Sequence, residues 1–264
     1  MDPVRIAAGV LTGFVVGMTG VGGGALMTPI LLLVFGTAPL TAVGTDLWFA
    51  AVTKLAVSGL HVRAGVIDWP IVCRLWLGSL PASLLTVAWM ASRPADPGVV
   101  LLVKGAIGLA VSLSAVSLLL RVSARGERGT VPVTMVAGTV PAPVTGATVA
   151  TGVLLGALVT LTSVGAGALG AVFLYHVYPR RLTPIRLVAT DIAHAIPLAL
   201  CAGIGHLAIS QVDTGLLRDL LVGSIPAALA GAAVSGRVPH AWLRVALGAV
   251  LLVVGLVMLG DAIR

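Results

Sequence analysis

The sequence predicts an all-α, polytopic integral membrane protein built from two inverted repeats, each with a glycine-broken helical hairpin plus three transmembrane helices. Three observations support this fold class: an apolar composition, a series of helix-length apolar segments, and an internal repeat. Of the 264 residues, 58% are hydrophobic and only 9% are charged, and the mean hydropathy is +1.12. Because a soluble domain carries roughly 25% charged residues, lipid is the expected solvent for much of this surface.

The charged residues are typical of a membrane protein. Basic residues are scattered, mostly singly, between apolar runs and give a net charge of +7. This pattern favours cytoplasmic loops and contacts with lipid headgroups over a groove for nucleic acid. Cys73 and Cys201 lie in apolar runs without C-x-x-C spacing, so neither a disulfide nor a metal site is predicted. The lipid bilayer is therefore an expected partner, whereas nucleic acid, metals and cofactors are not.

Each half of the chain contains five apolar helical segments. They are predicted at residues 4–19, 24–36, 39–60, 70–92 and 98–120, and at 150–163, 167–178, 183–207, 214–235 and 240–262. The last three of each half reach the roughly 20 residues needed to span a bilayer, whereas the first two are short. The sequence thus predicts a first membrane repeat at 1–120, a cytoplasmic linker at 121–149 and a second membrane repeat at 150–264.

The two halves align at a nearly constant offset of 143 to 145 residues. The matched features are a glycine-rich stretch, a Thr-Asp pair and a Gly-Ser-x-Pro-Ala motif, at residues 20–27 and 163–170, 45–46 and 190–191, and 78–82 and 223–227. Polar and proline matches at one offset are hard to obtain by chance, even in a chain of low complexity. The alignment therefore indicates an internal duplication.

The second glycine stretch also matches a nucleotide-binding pattern. Gly165, Gly167 and Gly170 have G-x-G-x-x-G spacing, and Asp191 follows near the distance expected of a ribose-binding acid. That fold requires a strand before the glycines, but a helix-length apolar segment precedes them here. In the first copy, Met27 stands where the third glycine would be. The shared feature is a glycine-rich break between two apolar segments, which argues against dinucleotide binding.

Two topologies fit these glycine-broken pairs of segments. If each pair crosses the membrane once, the halves are parallel; if each pair enters and returns as a hairpin, the halves are inverted. The inverted arrangement places a clear majority of the basic residues on the cytoplasmic side, among them Arg63, Arg74, Arg125 and Arg181. The parallel arrangement divides them almost evenly. The positive-inside rule therefore favours inverted repeats with a cytoplasmic linker.

The glycine-rich breaks are the predicted substrate-binding site. A helix start inside a membrane presents unpaired N–H groups and a partial positive charge, and glycine lets a ligand approach the backbone closely. Paired breaks in two inverted repeats indicate a transporter site, here for a small anion; the alternative is that the glycines only permit close helix packing. The predicted residues are Thr19, Gly20, Gly22, Gly23, Gly24, Thr162, Ser163, Gly165, Ala166 and Gly167.

Ionisable residues in the third segment of each half are predicted to act in coupling or gating. Asp46 and Asp191 would couple protons or would tie each helix break to its neighbour. Lys54 would attract the anion or would snorkel to the cytoplasmic surface, and snorkelling is favoured. His194 would shuttle protons or hydrogen-bond within the bundle. The same predicted set includes Thr45, Thr190, Pro81 and Pro226, and the expected helix-end caps are His61, Asp68, His206 and Asp213.

These motifs resemble the sulfite exporter TauE/SafE family. The resemblance lies in GMTGVGGGALMTPILLL, TAVGTDLWFAAVTKLAVSGLHVRAGVID and GSLPAS of the first half and in SVGAGALG, LVATDIAHAIPLALCAGIGH and GSIPAA of the second. It implies a plasma-membrane protein, mostly prokaryotic, that moves small sulfur-containing anions such as sulfite or organosulfonates. The second copy departs from the first, because Ala166 replaces the middle glycine and Val172 stands opposite Pro29.

The expected function is secondary transport of a small anion, and the alternative is an anion channel or an accessory membrane subunit serving a partner enzyme. The sequence has no Walker A, H-E-x-x-H or G-x-S-x-G motif, so it is not expected to be an enzyme. An anion that leaves a cell with an inside-negative potential gains about 2.3 kcal/mol per charge per 100 mV. Passive export could therefore run without a coupling ion, whereas uptake would need one, such as a proton.

Overall fold

A computed structural model describes residues 1–19, 24–61, 66–93, 96–124, 142–165, 167–178, 181–234 and 240–263. All regular structure in these ranges is α-helical. Six helices contain apolar segments of 19 to 23 residues, long enough to cross a membrane. The described helices are α1 Pro3–Thr19, α2 Gly24–Leu33, α3 Pro39–His61, α4 Trp69–Ala91, α5 Pro97–Ala124, α6 Ala142–Thr162, α7 Ala168–Val177, α8 Pro184–Ala208, α9 Thr214–Val234 and α10 His240–Ile263.

The sixth helix differs most from its predicted bounds. It begins at Ala142 instead of residue 150 and is long enough to span a membrane, whereas a short segment was expected. Residues 142–149 contain Pro, Gly and Thr, which are typical of a linker. Pro143, however, lies in the first helical turn, where its missing N–H costs little. In α10, the apolar segment found within the described residues is Val245–Asp261, which is shorter than the predicted segment at 240–262.

Corresponding helices of the two halves run antiparallel to each other. Near the start of α3, Thr41 donates a hydrogen bond to Gln211, just beyond the end of α8 (3.1 Å). Further along α3, Trp48 donates to the carbonyl of Gly203 (2.9 Å). The corresponding helices α5 and α10 also pack antiparallel. Two corresponding helices that run in opposite directions are related by a two-fold axis perpendicular to them. This relation confirms that the repeats are inverted.

Small residues let the first helix of each half pack closely against the fourth helix of the other half. A Cβ added at Gly9 or Gly17 of α1 would collide with the backbone of α9 at Leu220 or Ala228. The equivalent helices α6 and α4 approach in the same way at Gly152. Close approach through small residues is common between membrane helices. Both pairs run in parallel.

Each glycine-broken pair of helices forms a hairpin. Thr45 of α3 accepts a hydrogen bond from the N–H of Asp213 before α9 (3.0 Å), and Thr53 bonds with Ser224 further along α9 (2.9 Å). These contacts show that α3 runs parallel to α9, as α1 does. Because α1 and α3 run in the same direction, α2 returns the chain to the side from which α1 began. The same argument applies to α6, α7 and α8, since α6 and α8 are both parallel to α4.

Two apolar clusters occupy equivalent places at opposite ends of the bundle. The α2 cluster consists of Met27, Leu31, Ala42, Phe49, Leu216 and Leu220. The α7 cluster consists of Ile71, Leu75, Leu174, Tyr178, Leu182 and Leu187. Ala42 and Leu187 each lie four residues, about one helical turn, nearer the helix start than Asp46 and Asp191. The clusters therefore lie between these carboxyl groups and the two ends of the bundle.

Candidate functional site

The second helix break meets the first turns of α2 inside the bundle. The hydroxyl of Thr28, in the second turn of α2, donates to a carboxylate oxygen of Asp46 on α3. The same hydroxyl lies 3.4 Å from the carbonyl oxygen of Thr162, the last residue of α6. All three residues are fully buried. One threonine thus joins the first hairpin, the third helix and the break of the second hairpin.

The second break has a backbone that requires its glycines. Gly165 and Gly167 have φ angles of 124° and 129°, which side-chain-bearing residues rarely adopt. Ser163 has a φ of 57°, which is uncommon for a residue other than glycine. The hydroxyl of Thr162 accepts a hydrogen bond from the N–H of Val164 (3.1 Å) and fixes the chain as it leaves α6.

The first break is described only at its borders. Gly24 is the first residue of α2. Thr19, the last residue of α1, is half-buried and donates to the carbonyl of Val15 in its own helix (2.7 Å). Four predicted binding residues lie outside the described ranges: Gly20, Gly22, Gly23 and Ala166.

Four ionisable side chains are buried near the place where the breaks meet. Asp46 and Lys54 come from α3, and Asp191 and His194 come from α8; their exposed fractions are 0%, 3%, 3% and 1%. Lys54 lies close enough to both carboxyl groups to interact with them electrostatically, and His194 lies close to Lys54. These four residues are termed the buried charge cluster. Ionisable residues inside a membrane bundle are costly and usually functional.

The expectation that Lys54 snorkels to the cytoplasmic surface is wrong. Its side chain is buried beside Asp46 and Asp191. A buried ammonium group is stabilised by nearby opposite charges, and Lys54 interacts electrostatically with two carboxyl groups. The antiparallel packing of α3 and α8 supplies the second of these carboxyl groups.

Both carboxyl groups contact the returning helix of their own half. Asp46 accepts a hydrogen bond from Thr28 of α2. A Cβ added at Gly170 of α7 would lie 2.6 Å from Oδ1 of Asp191, so a larger residue would collide with that carboxyl group. These contacts fit the structural role considered for both residues. Even so, Oδ1 of Asp46 and the nearby hydroxyl of Ser163 are buried without hydrogen-bond partners in the described part of the chain.

Serines of α4 and α9 complete the surroundings of the charge cluster. Ser79 bonds with Nε2 of His194 (3.0 Å), and the equivalent Ser224 bonds with Thr53 (2.9 Å). Both serines belong to the repeated Gly-Ser-x-Pro-Ala motif, whose role sequence reasoning missed. The signal that could have found them is a polar residue at equivalent positions of two apolar helices.

The prolines of the same motif lie elsewhere. Pro81 and Pro226 lie two residues after these serines, on exposed faces of α4 and α9, and both helices continue through them. The structure therefore brings the serines of this motif to the charge cluster and leaves the prolines on the outer surface. Their predicted part in gating stays a prediction.

The threonine before each Asp connects the two halves. Thr45 accepts a hydrogen bond from the N–H of Asp213 (3.0 Å), and Thr190 accepts one from the N–H of Asp68 (3.1 Å). The two bonds are equivalent in the repeat. Each joins the third helix of one half to the start of the fourth helix of the other half.

An ion pair at the start of α4 has no equivalent at the corresponding position of the other half. Arg181, before α8, donates to both carboxylate oxygens of Asp68 at 2.6 and 2.9 Å. This contact raises the pKa of Arg181 above its ordinary value. At the other end, the carboxylate of Asp213 accepts a hydrogen bond from the N–H of Leu216 (2.9 Å). Gly36 stands where Arg181 would be, three residues before the corresponding proline.

The residues expected to cap helix ends have different outcomes. Asp213 caps α9, as predicted. For Asp68 the prediction is wrong, since its carboxylate makes no cap bond and pairs with Arg181. His206 is buried within α8, and its Nε2 lies 2.9 Å from the carbonyl of Thr160. The side chain of His61 lies outside the described residues.

The fold and the site together define a class of protein: a polytopic helical membrane transport protein with two inverted repeats whose helix breaks meet at a buried polar site. Comparison with known sequences gives the family. The family described as sulfite exporter TauE/SafE matches residues 5–258. The chain therefore belongs to the sulfite exporter TauE/SafE family.

Two bacterial proteins are similar to nearly the whole chain. Over 256 residues the chain is 36% identical to the probable membrane transporter protein YjnA of Bacillus subtilis (strain 168). The aligned region covers 95% of this chain and 97% of that protein. Over 251 residues it is 30% identical to the probable membrane transporter protein YdhB of the same organism, covering 94% and 96% of the two chains. No solved structure matches the chain.

Proposed function

We propose that this protein is a secondary transporter that moves a small anion, sulfite or an organosulfonate, across the plasma membrane without catalysing a reaction. The observation that carries this proposal is the contact of α2 with the second helix break at the buried charge cluster. Membership of the family supports transport in general. The choice of a sulfur oxyanion rests on the family description, because the relatives' names mention only membrane transport.

The centre of the bundle offers several groups that suit an anion. α2 and α7 both start there, so the partial positive charges at their N-terminal ends are directed toward a ligand between the breaks. Lys54 adds a full positive charge, and Ser163 adds a buried hydroxyl without a hydrogen-bond partner among the described residues. A sulfite or sulfonate group is compact and accepts several hydrogen bonds. The predicted glycine-rich residues of both breaks would surround it.

Transport would follow from alternate opening of the two apolar clusters. The α2 cluster and the α7 cluster each lie between the charge cluster and one end of the bundle. Opening one while the other stays closed would expose the anion to one side at a time. The moving units would be groups of helices drawn from both repeats, because α1 packs against α9 and α6 packs against α4; inverted repeats commonly exchange conformations around a central site.

The test is uptake of radiolabelled sulfite into proteoliposomes, with thiosulfate, sulfate and chloride as competitors. We expect saturable flux that speeds up when unlabelled sulfite is preloaded, because exchange distinguishes a carrier from a channel. Gly165→Val should abolish the flux, since φ at this position is 124°. The matched control is Gly105→Val, at a helical glycine with no atom near the added Cβ.

Two results would contradict the proposal. Absence of flux for sulfite, thiosulfate and organosulfonates under every imposed gradient would overturn anion transport. Equal flux through the Gly165→Val and Gly105→Val variants would overturn the placement of the site at the second break. Gel-filtration profiles of both variants show whether lost flux reflects lost folding.

A further inference from the structure

We propose that the site takes one monovalent anion at Lys54 together with one proton on the Asp46 and Asp191 pair, so that transport is electroneutral. This inference rests on the proposed function and adds the charge of the cargo and the identity of the coupling ion. It also predicts that the membrane potential does not drive the cycle.

The starting point is the charge balance of the buried cluster. Two carboxylates and one ammonium leave a net charge of −1 when His194 is neutral. A net charge in a membrane interior is far more costly than a paired one, so the empty cluster favours one bound proton. A monovalent anion would restore the net negative charge, and a second proton would cancel it. Each anion therefore enters with one proton.

Among the described residues, the charged side chains with which Asp46 and Lys54 interact all belong to this cluster. The cluster's nearest partners on α2, α4 and the second break are the hydroxyl groups of Thr28, Ser79 and Ser163. The other buried ionisable side chains in the described part of the chain have partners elsewhere. Asp68 pairs with Arg181, Asp219 lies 4.0 Å from Arg5, and His206 contacts a backbone carbonyl of α6.

Unused polar atoms indicate where the proton and the anion bind. Oδ1 of Asp46 is buried and accepts no hydrogen bond within the described ranges. A buried carboxylate oxygen without a donor is costly, whereas a protonated carboxyl group is not charged. An anion that attracts the Lys54 ammonium weakens its hold on both carboxylates and so favours their protonation. The Ser163 hydroxyl lies beside the Asp46 carboxyl group, and protonation of that group would release the hydroxyl to donate to the anion.

The asymmetry of the repeats sets the number of anions. Lys54 has Ala199 at its equivalent position in the second half, and this alanine is buried. The cluster therefore contains one lysine and not two. One full positive charge shared by two carboxyl groups suits a single monovalent anion such as a sulfonate.

The test uses the full chain in proteoliposomes and radiolabelled methanesulfonate, which stays a monoanion at neutral pH. With an interior one pH unit more alkaline than the outside, we expect about tenfold accumulation, since one pH unit corresponds to a factor of ten for one proton. A potential of 100 mV set with potassium and valinomycin should leave accumulation unchanged.

The opposite response would overturn the inference and leave the proposed function standing. An uncoupled monoanion carrier would respond to 100 mV with about a 50-fold change in accumulation and would ignore the pH gradient. If neither methanesulfonate nor sulfite moves under either gradient, the proposed function and this inference both fail.

Substitutions test which residues bind the anion and the proton. At low methanesulfonate concentration, Lys54→Met should reduce the flux at least about tenfold, because one charge interaction of moderate strength is lost. Lys54→Arg should keep part of the flux, because the positive charge remains. The control is Lys104→Met, because Lys104 is exposed near the start of α5. The double variant Asp46→Asn, Asp191→Asn should abolish accumulation driven by pH and leave flux that responds to potential, because neither carboxyl group of the pair then remains to take a proton. Equal flux in Lys54→Met and Lys104→Met would overturn the anion assignment.

A binding measurement keeps the inference testable if a variant transports poorly. Methanesulfonate added to the purified wild-type protein in weakly buffered detergent should cause uptake of about one proton per bound anion, read with a pH indicator. Binding without proton uptake would overturn the coupling. Lys54→Met should show neither binding nor proton uptake at the same concentration.

Discussion

Equivalent positions in the two repeats follow two different patterns. The duplicated threonines make the same contact twice: Thr45 and Thr190 each accept a backbone hydrogen bond from the start of a fourth helix. Where the copies differ near the centre, the difference changes the charge, since Lys54 corresponds to Ala199. The duplicated threonines thus hold the two halves together, whereas the unduplicated lysine adds a positive charge beside the duplicated carboxyl groups.

The same contrast separates the two ends of the bundle. The α2 cluster and the α7 cluster are equivalent apolar layers. Beside the α7 cluster, Asp68 is paired with Arg181, whereas beside the α2 cluster the equivalent Asp213 caps its own helix. In the predicted topology the ion pair faces the cytoplasm. We therefore expect that end to be held closed more strongly than the other.

The largest effect is expected where a glycine contacts the charge cluster. Gly170→Val would place a side chain against the carboxyl group of Asp191. Displacing a buried charge from its partners costs about 3–5 kcal/mol, so we expect a strongly lowered melting temperature in detergent and no flux. Gly146→Val is the matched control, because nothing lies near the added Cβ there. Equal melting temperatures in the two variants would contradict this packing.

A smaller effect is expected from the hydroxyl that joins the two breaks. Thr28→Val keeps the shape of the side chain but leaves the carboxylate of Asp46 with one hydrogen bond fewer. A buried acceptor that loses its donor costs about 1–3 kcal/mol. Thermal unfolding of this variant should be compared with Thr151→Val, in which an exposed threonine of α6 is changed. A larger loss in Thr151→Val would exclude Thr28 as the link between the breaks.

Breaking the ion pair should affect one end more than the other. A cysteine introduced at Leu182 of the α7 cluster reports on opening of that end through its reaction with a water-soluble maleimide. In the Arg181→Gln background we expect this reaction to be about five to ten times faster, because loss of the ion pair lowers the free energy of opening by about 1–1.4 kcal/mol. The same cysteine in an Asp213→Asn background should react at the original rate. If both changes speed labelling equally, the two ends are not held differently.

The smallest effects are expected from the duplicated serines, and they sharpen the comparison. Ser79→Ala and Ser224→Ala each remove one hydrogen bond of about 1 kcal/mol. Ser79 contacts His194, whereas Ser224 contacts Thr53, so only Ser79→Ala should shift the pH profile of flux. Identical shifts in both variants would show that His194 does not distinguish the two halves.

The architecture could be predicted because it depends on patterns along the chain. Apolar segment lengths, the constant offset and the distribution of basic residues predicted ten helices, two hairpins and inversion. Ends were less certain where two signals compete, as at Ala142, where residues typical of a linker continue into a helix.

The surroundings of single side chains could not be predicted, because they depend on distant elements. Lys54 looked able to reach the membrane surface until Asp191, on another helix, was placed beside it. Asp68 looked like a helix cap, but Arg181 lies 113 residues away in sequence and pairs with it. Thr28 has no hydroxyl-bearing twin, so the repeat gave no signal for it. Such pairings become visible only when the two halves are packed together.

The most direct test of the central claim is to locate the anion. Crystals of the protein grown with selenite, the heavier analogue of sulfite, would reveal selenium through anomalous scattering. The account predicts one selenium peak beside the ammonium of Lys54, between Thr28 and Ser163 at the meeting point of the two helix breaks. A peak only at the surface, or none at a selenite concentration that inhibits sulfite flux, would contradict it.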